Sequence, residues 1–398
     1  MKVLLVHNRY RSGSPSGEDR VVDQEAMALA SNGHLVERFE RFSDDIARRS
    51  IGARALVPAQ VLWSDEVRRS LRQALQQFRP DVVHVHNTFP LLSPSVLYAC
   101  RSERVPVVAT MHHYRLVCPS GDLFRNGEVC HDCVGRFPLP AVRHGCYRSS
   151  VLATLPLAAG GVAHRRAWRT MVSAYVFLSA AQRDLIAQDG LPSNRLFVKP
   201  NFVPPPAVAQ KQAPEDFVVY AGRLTESKGV HTLMDAWDRY RSQSPESHLR
   251  LVIAGAGPLE QRVAQWATPR PSVDWLGMLA RDACSALITR ARAVIVPSQW
   301  EETFGLVVVE AMAAGVPSIA SHRGSFPELI QNGVDGVLVE AGNASAWARA
   351  FEDIQRNGEL YKALGSAARR TYEQRFSLRA NVDQLVRIYR FAVNHAVQ

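Results

Sequence analysis

The chain has 398 residues, enough for two domains, and 46% of them are apolar while 21% are charged. This composition is that of a soluble globular protein, and no stretch reaches the roughly 18 apolar residues that argue for a membrane-spanning helix. The apolar run that begins the sequence, Val3–Val6, is too short for the core of a signal peptide, so we expect a cytoplasmic protein.

The net charge of +10 is concentrated in the first half of the chain. Residues 1–200 hold 26 Lys and Arg against 17 Asp and Glu (+9), whereas residues 201–398 hold 21 against 20 (+1). We expect the basic half to face an anionic partner. No nucleic-acid-binding module is recognisable, so an anionic membrane surface or a pyrophosphate-linked acceptor fits better. The alternative is an Arg-rich composition without functional meaning.

The first half of the chain begins with a predicted strand, loop and helix. The strand covers Val3–Val6, the loop runs from Asn8 to Ser16, and Ser16 is expected to cap a helix that ends near Gly33. Gly17 has no side chain and would let a ligand approach the backbone closely, although a purely structural turn is the simpler alternative.

Two later strands of this half end in histidines. The strand 81–87 places His84 and His86 on one face, and the strand 106–111 runs directly into His112 and His113. A histidine at the carboxyl end of a strand can bind a sugar hydroxyl or a developing charge. For His84 and His86 a structural role near the strand end is the simpler interpretation.

Residues 115–150 contain a cluster of cysteines, Cys118, Cys130, Cys133 and Cys146, with the spacing C-x11-C-x2-C-x12-C. In a cytoplasmic protein a C-x2-C pair with a further cysteine on each side favours a closed structural zinc site. The glycine-rich loop has little core of its own, so a metal would stabilise it. Free thiols, or disulfides in an oxidising compartment, are the alternatives.

The next segments show no clear chemistry. Residues 147–170 mix arginines with leucines, which is typical of a surface helix pair or, alternatively, of an interfacial or acceptor-facing segment. The Pro-rich stretch 201–214 is predicted to be the interdomain linker.

The second half restarts with a predicted strand, Phe217–Tyr220, that leads into a loop with two cations. Arg223 and Lys228 lie five residues apart after this strand, which suits a diphosphate because Arg binds as a fork and Lys as a point charge. Solvated surface cations are the alternative. Further along, Gly255 and Gly257 follow the predicted strand 251–254, and Gly277 ends the predicted strand 273–277.

The stretch 294–321 carries the strongest signal in the chain. It predicts a buried strand over 294–296, a polar loop over 299–303, a helix over 305–314 and a second strand over 317–321. The loop lies at the carboxyl end of a strand, where open α/β sheets bind their ligands.

Two carboxylates and a helix N-terminus occur together in this stretch. Glu302 lies in the loop and Glu310 follows two helical turns later, while the amides of Phe304, Gly305 and Leu306 are available for an anion. An ionised carboxylate only accepts hydrogen bonds and can hold two vicinal hydroxyls. The sequence therefore predicts amides for a phosphate and carboxylates for sugar hydroxyls, with solvated surface charges as the alternative for Glu302.

The motif PSQWEETFGLVVVEAMAAGVP resembles the signature of retaining GT-B glycosyltransferases of family 4, in which Glu302 and Glu310 match the paired glutamates. The resemblance implies an α/β GT-B fold with two Rossmann-like domains facing across a cleft. It places the acceptor-side domain at 1–203 with the Cys-rich insertion 115–150, the nucleotide-sugar domain at 204–375, and a helix at 376–398 that crosses back to the first domain.

The resemblance also implies roles for individual residues. It places Glu310 at the ribose, Glu302 and His112 at the donor sugar, and Arg223 and Lys228 at the leaving diphosphate. The Gly17 loop would line the cleft, and the nucleotide would lie beside Gly255, Gly257 and Gly277.

These inferences together favour a retaining hexosyltransferase that uses a UDP- or GDP-sugar and needs no metal or other cofactor for catalysis. The sequence contains no Asp-x-Asp motif, so we expect cationic side chains and helix amides to balance the diphosphate charge. The acceptor would be a glycan, a lipid-linked sugar or a small molecule in cell-surface or exopolysaccharide synthesis, with peripheral contact to an anionic membrane. The alternatives are a nucleotide-sugar epimerase of similar fold and a non-catalytic nucleotide-sugar-binding subunit.

Overall fold

The computed structural model of the chain describes residues 1–12, 16–206 and 214–397. Parts of the predicted first loop (13–15) and of the predicted linker (207–213) therefore lie outside the described residues. The chain forms two compact units. The first comprises Met1–Leu123, His131–Pro200 and Asn381–Gln398, and the second comprises Phe124–Cys130 and Asn201–Ala380.

The strands lie at the following positions in chain order: β1 (Lys2–Arg9), β2 (Leu35–Phe42), β3 (Val82–Asn87), β4 (Val107–Met111), β5 (Phe124–Arg125), β6 (Glu128–Val129), β7 (Ala174–Phe177), β8 (Leu196–Val198), β9 (Phe217–Ala221), β10 (Arg250–Ala254), β11 (Val273–Trp275), β12 (Ala293–Val296), β13 (Ser318–Ser321) and β14 (Gly336–Val339).

The helices of the first unit are α1 (Gly17–Ser31), α2 (Asp45–Arg48), α3 (Ile51–Ala55), α4 (Val57–Leu62), α5 (Asp65–Phe78), α6 (Ser95–Ser102), α7 (Leu139–Arg143), α8 (Val151–Ala163), α9 (Arg165–Met171) and α10 (Ala180–Ala187). Those that follow are α11 (Val230–Gln243), α12 (Glu260–Ala267), α13 (Arg281–Arg290), α14 (Leu306–Ala314), α15 (Phe326–Leu329), α16 (Ala344–Arg356), α17 (Gly358–Arg375) and α18 (Leu378–Asn394), with short 3-10 turns at Ser193–Arg195 and Glu226–Lys228.

Each unit is built on a six-stranded parallel sheet. The first has the order β2-β1-β3-β4-β7-β8, and the second has the order β11-β10-β9-β12-β13-β14. The strand order reverses between β1 and β3 in the first sheet and between β9 and β12 in the second. Ligands of open α/β sheets bind outside the carboxyl ends of the strands at such switch points. The architecture therefore predicts that ligands bind at the loops that follow β1, β3, β9 and β12.

Several of the central strands in both sheets are completely buried. Every residue of β3, β4, β7, β12 and β13 is buried, as expected for parallel strands covered by helices on both faces. The edge strand of the second sheet, β14, begins at Gly336 and follows the short helix α15.

Helix α18 belongs to the first unit from Asn381 onward. The Gln384 amide donates a hydrogen bond to the Val198 carbonyl (2.7 Å), and the Phe391 ring packs against Phe197 with 4.9 Å between centroids. Among the described residues, no helix is both long and apolar enough to cross a bilayer.

Candidate active site

The predicted diphosphate lysine and the predicted sugar-binding glutamate form an ion pair in the second unit. Lys228 lies in the loop after β9 and Glu302 lies in the loop after β12, so both follow the two strands that flank the switch point. The Lys228 ammonium contacts both carboxylate oxygens of Glu302, at 2.8 and 2.9 Å. Because Glu302 is only 6% exposed, this cation offsets the cost of burying its negative charge.

Trp300 completes the group, and sequence reasoning did not assign it a role. Its indole N–H donates a hydrogen bond to Glu302 Oε2 at 2.6 Å, and Lys228 Nζ lies 5.1 Å from the centre of its ring. The side chain of Lys228 is about one quarter exposed, so a ligand can reach the ammonium. The arrangement thus offers a reachable cation and an acceptor-only carboxylate held by two donors.

Close backbone approach fixes the position of Glu302. A Cβ on Gly324 would come within 2.4 Å of the Glu302 nitrogen, and the Ser325 N–H donates to the Glu302 carbonyl at 3.0 Å. The loop after β13 therefore supports the loop after β12 directly. Only a glycine at position 324 permits this contact.

Helix α14 presents its N-terminus beside this loop. Gly305 is its N-cap residue with φ of 88°, and no side chain caps the helix. The N–H groups of the first turn of a helix have no partner within the helix, so they form a site suited to an anion. Phe304, which contributes one of the predicted amides, is itself buried against Phe376 with ring centroids 6.2 Å apart.

Glu310 and Arg223 lie outside the Lys228–Glu302 ion pair. Glu310 lies on α14 and is half-buried. Arg223 is exposed, and its guanidinium forms no ion pair with a described carboxylate, whereas its carbonyl accepts a hydrogen bond from the Tyr220 hydroxyl at 2.7 Å. Arg223 thus lies exposed after the end of β9 and is not part of the Lys228–Glu302 pair.

The predicted glycines lie at a second strand end of the same sheet. The Gly255 N–H donates to the Gly277 carbonyl at 2.7 Å, and the Gly255 carbonyl accepts from the Trp275 indole at 3.1 Å. A Cβ on Gly255 would come within 1.9 Å of the Gly222 carbonyl oxygen, so the loops after β9 and β10 touch through their backbones. Gly257 likewise approaches the Leu224 carbonyl.

In the first unit, the loop region around Gly17 is organised by buried polar groups. Ser16 caps α1 as predicted, because its hydroxyl accepts from the Glu18 N–H at 3.2 Å. Asp19 binds His7 on β1, with 2.6 Å between Asp19 Oδ1 and His7 Nε2. Burial raises the pKa of Glu18 to about 8, although the Tyr10 hydroxyl donates to its carboxylate at 3.1 Å. Neither Glu18 nor Asp19 was predicted as a site residue.

His112 is half-buried and contacts a pair of fully buried imidazoles, His84 and His86, through His86. His112 Nε2 lies 2.9 Å from His86 Nδ1, while His84 contacts the hydroxyls of Thr110 and Tyr389, each at 2.7 Å. Burial lowers the pKa of His84 to about 4 and that of His86 and His112 well below the usual value, so the rings are neutral at pH 7. The prediction that His84 and His86 are structural is too simple for His86, since it contacts His112 directly.

A buried ion pair lies behind these imidazoles. Lys199 Nζ lies 2.7 Å from Glu25 Oε1, and both side chains are almost fully buried. Glu25, His84 and His86 bring three ligand-type atoms within 4.8 Å of one another, the spacing of a metal site. Because the Lys199 ammonium already neutralises Glu25 through Oε1, we interpret the group as a packed polar support for His112 and not as a metal centre.

The four cysteines of the 115–150 insertion form no disulfide in the structure. Cys118 and Cys133 are buried, whereas Cys130 and Cys146 are half-buried. The short antiparallel pair β5–β6 lies within this insertion. The zinc hypothesis stays a prediction.

Some of these site residues could have been found from sequence and others could not. Trp300 is part of the quoted motif, two residues before Glu302, and an indole beside a predicted carboxylate is a usable signal. Glu25 and Lys199 lie 174 residues apart, and nothing local in the sequence pairs them. Only the fold, which brings α1 beside the end of β8, reveals that pair.

The comparison with protein families agrees with this geometry. Residues 15–205 match the sequence model described as Glycosyltransferase Family 4, and residues 206–371 match that of Glycosyl transferases group 1. The two matches adjoin and together span most of the chain. The chain belongs to this family of glycosyltransferases, which confirms the resemblance drawn from the Glu302–Glu310 motif.

Individual relatives are similar over part of their length. The D-inositol 3-phosphate glycosyltransferase of Corynebacterium aurimucosum is 31% identical over 193 residues, which is 44% of this chain and 43% of the relative. The phosphatidyl-myo-inositol mannosyltransferase of Mycobacterium leprae is 34% identical over 176 residues, 43% of this chain and 46% of the relative. The matches thus span less than half the length of these curated relatives.

Among solved structures, that of Anabaena HepE in complex with UDP-glucose is similar to the whole chain. The two share 19% identity, the match covers 97% of this chain and 98% of the other, and the TM-score is 0.67. This likeness, with the two parallel sheets, confirms the α/β GT-B fold.

Proposed function

We propose that the protein is a retaining, metal-independent glycosyltransferase that transfers a hexose from a nucleotide-sugar. The observation that carries this proposal is the Lys228–Glu302–Trp300 group at the switch point between β9 and β12, beside the open N-terminus of α14. A cation, a set of helix amides and an acceptor-only carboxylate are the groups that a sugar bound to a diphosphate requires. The UDP-glucose complex of the similar HepE structure supports a UDP-sugar as the donor.

In this proposal the ion pair changes partners when the donor binds. Lys228 neutralises Glu302 while the site holds no ligand. The diphosphate then attracts the ammonium, and the carboxylate of Glu302 accepts hydrogen bonds from the hydroxyls of the sugar. Arg223 and the amides of α14 add positive potential where negative charge grows on the leaving diphosphate, and Glu310 binds the ribose.

The acceptor side belongs to the first unit. We infer that His112 contacts the donor sugar and that its neutral imidazole is kept in one tautomer by His86. The acceptor is a glycan or lipid-linked sugar in cell-surface polysaccharide synthesis, and the basic first half of the chain supports peripheral contact with an anionic membrane.

The donor is tested by binding. Thermal unfolding of the full chain with UDP-, GDP- and ADP-sugars should show one nucleotide class that raises the melting temperature, because a ligand of the native state stabilises it. Release of nucleoside diphosphate only when an acceptor is present then separates a transferase from an epimerase or a binding subunit. If no nucleotide-sugar stabilises the chain, the proposal fails.

The diphosphate assignment has its own test. Lys228→Ala and Arg223→Ala should each lower turnover by roughly 10²–10³, the size of effect seen when one donor to a developing oxyanion is removed. Arg290→Ala is the matched control, since this exposed arginine pairs with Glu215 on the surface. Parent-like turnover in folded Lys228 and Arg223 variants would contradict the assignment.

A further inference from the structure

Helix α8 has an exposed surface that its composition does not explain. Its sequence, VLATLPLAAGGVA, contains no charged residue. Leu152 is 83% exposed, and Val151, Leu155 and Val162 form an exposed stripe along one side. A helix that is apolar all round is normally buried, so this face needs a partner that is itself apolar.

The other side of α8 borders a cavity of about 310 Å³ in the first unit. The cavity lies between α8 and α4, which pack on each other closely enough that a Cβ on Gly160 would contact Leu62 at 3.2 Å. Its walls are mainly apolar, with Val61, Phe89, Pro156 and Leu157 among them. A hydrocarbon chain is the ligand that such a lining favours.

Three arginines, Arg11, Arg54 and Arg148, also line this cavity. All three are exposed, and none forms an ion pair with a carboxylate in the part of the chain that the structure describes. Arg54 is held by hydrogen bonds to the carbonyls of Ala47 and Arg49, and Arg148 lies over the Tyr147 ring at 5.3 Å. Arginines of this kind leave guanidinium donors for a phosphate.

A second, smaller cavity of about 100 Å³ adjoins the first. Val61, Phe89 and Leu157 line both, so they form the shared wall. The second cavity extends to His86, Asn87 and His113 at the carboxyl ends of β3 and β4, the region assigned to the sugar. A ligand in the first cavity therefore lies next to the proposed reaction site.

We propose that the cavity between α4 and α8 binds the hydrocarbon chain of a lipid phosphate that carries the acceptor sugar, and that Arg11, Arg54 and Arg148 bind its phosphate. This proposal rests on the proposed function and names the class of its acceptor. The size is suitable: a cavity of about 150 Å³ holds benzene, so about 310 Å³ accommodates roughly ten carbons, and the rest of a longer chain extends along the exposed side of α8.

The charge and the apolar walls of the cavity together favour a lipid phosphate over a free phosphate or a membrane surface. A free phosphate would use the arginines and leave the apolar walls without a partner. An anionic membrane surface would contact the exposed stripe of α8 and leave the cavity unfilled. A lipid phosphate uses both the cations and the apolar walls, which is why we commit to it.

The proposal is tested by calorimetric titration of the full chain with farnesyl phosphate, with farnesol and with inorganic phosphate. Farnesyl phosphate should bind at least ten-fold more tightly than either of the others. Arg54→Gln and Arg148→Gln should each weaken its binding about ten-fold, the effect of one lost hydrogen bond to a charged group. Ala153→Trp, which fills the cavity from α8, should weaken farnesyl phosphate and farnesol alike, while the control Arg101→Gln on α6 should bind as the parent does.

Three results would overturn the proposal. They are inorganic phosphate binding as tightly as farnesyl phosphate, parent-like binding by the Ala153→Trp variant, and binding to anionic vesicles without binding of farnesyl phosphate. Thermal unfolding confirms that each variant is folded. Because the readout is lipid binding without any nucleotide, its failure is distinct from failure of the transferase proposal, which is measured by nucleotide-sugar binding.

Discussion

At the scale of single residues, the two glutamates of the predicted motif have different surroundings. Glu302 is buried and held by Lys228 and Trp300, whereas Glu310 is half-buried on α14. The sequence supplied both positions and their spacing, because the motif is local. It did not supply the ion pair, since Lys228 and Glu302 lie 74 residues apart and meet only through the order of β9 and β12.

These surroundings predict that amide substitution has different effects on ligand binding at the two positions. Glu310→Gln should weaken binding of nucleoside diphosphate and of nucleotide-sugar alike, because ribose is present in both and the substitution replaces one of the two acceptor oxygens of the carboxylate with a donor NH2 group. Glu302→Gln should weaken the nucleotide-sugar and leave the diphosphate bound as well or better, since Lys228 is released from its strongest partner. A loss of about 1.5–3 kcal/mol, ten-fold or more in affinity, is expected in each affected case.

Calorimetry with the product and with a slowly reacting donor measures both effects, and Glu301→Gln in the same loop is the matched control. Equal losses of product affinity in the Glu302 and Glu310 variants would mean that the two roles are not separate. A product loss confined to the Glu302 variant would mean that they are reversed.

Glu18 predicts a pH dependence of stability. Burial raises the pKa of this carboxyl from 4.5 to about 8, so the folded chain holds its proton more tightly than the unfolded chain. The stability that the protonated group contributes is complete below pH 4.5 and is lost as the pH rises to about 8. Glu18→Gln keeps an acceptor for the Tyr10 hydroxyl and cannot ionise, so the parent should lose stability relative to this variant across that window.

The expected difference is at most a few kcal/mol, since one pKa unit corresponds to about 1.4 kcal/mol. Urea unfolding of both proteins at pH 5, 6.5 and 8 measures it, and Glu37→Gln on β2, an exposed carboxyl, is the control. A constant gap between the parent and the Glu18 variant at all three pH values would refute the assignment.

At the scale of elements, hydrophobic runs and glycines were the reliable signals. The predicted strand at 294–296 is β12, and the predicted helix at 305–314 is α14, which begins at Leu306. Helix α15 was less predictable, because its four residues Phe326–Leu329 are too few for a helical period to show. The sequence of 147–170 was compatible with a surface helix pair or an interfacial segment, and only the exposure of α8 in the structure reveals an unpartnered apolar face.

The conformation and surroundings of Gly305 predict that a side chain at this position would displace the N-terminus of α14. Its φ of 88° suits glycine, and a Cβ there would come within 2.5 Å of the Phe326 ring, which is fully buried. Gly305→Ala should therefore lower the free energy of unfolding by about 1–3 kcal/mol and weaken donor binding, because both backbone strain and a displaced ring disturb the helix N-terminus.

The control is Gly358→Ala at the start of α17, where a Cβ would have nothing within 4 Å. That variant should be neutral or slightly more stable, since alanine restricts the unfolded chain. Thermal unfolding compares the two. Similar melting temperatures in both variants would show that the N-terminus of α14 tolerates a side chain and is not strictly positioned.

At the scale of the whole molecule, the family motif was sufficient to predict the fold. The groups that surround His112 could not be predicted, because they are brought together by contacts between residues far apart in the sequence. The support behind His112 needs α1 for Glu25, β3 for His86 and the segment after β8 for Lys199. Tyr389 on α18 adds a contact with His84 over 305 residues of sequence. No pattern within any one segment predicts this network, because the sequence around each of its residues is typical of an ordinary strand or helix.

The cysteine insertion 115–150 gives a prediction for the intact protein. We expect Cys118, Cys130, Cys133 and Cys146 to bind one structural zinc, because four cysteines at this spacing suit a closed tetrahedral site and the segment contains only the short β5–β6 pair and α7 as regular structure. Elemental analysis of protein purified without added metal should find about one zinc per chain, and removal by a chelator should lower the melting temperature.

Cys130→Ser should lose the metal, while Cys284→Ser on α13 should retain it. If the purified protein contains no zinc and all four thiols react with a thiol reagent, the zinc prediction is wrong. Turnover that is unchanged by added magnesium would separately support a site that stabilises the fold and takes no part in the transfer.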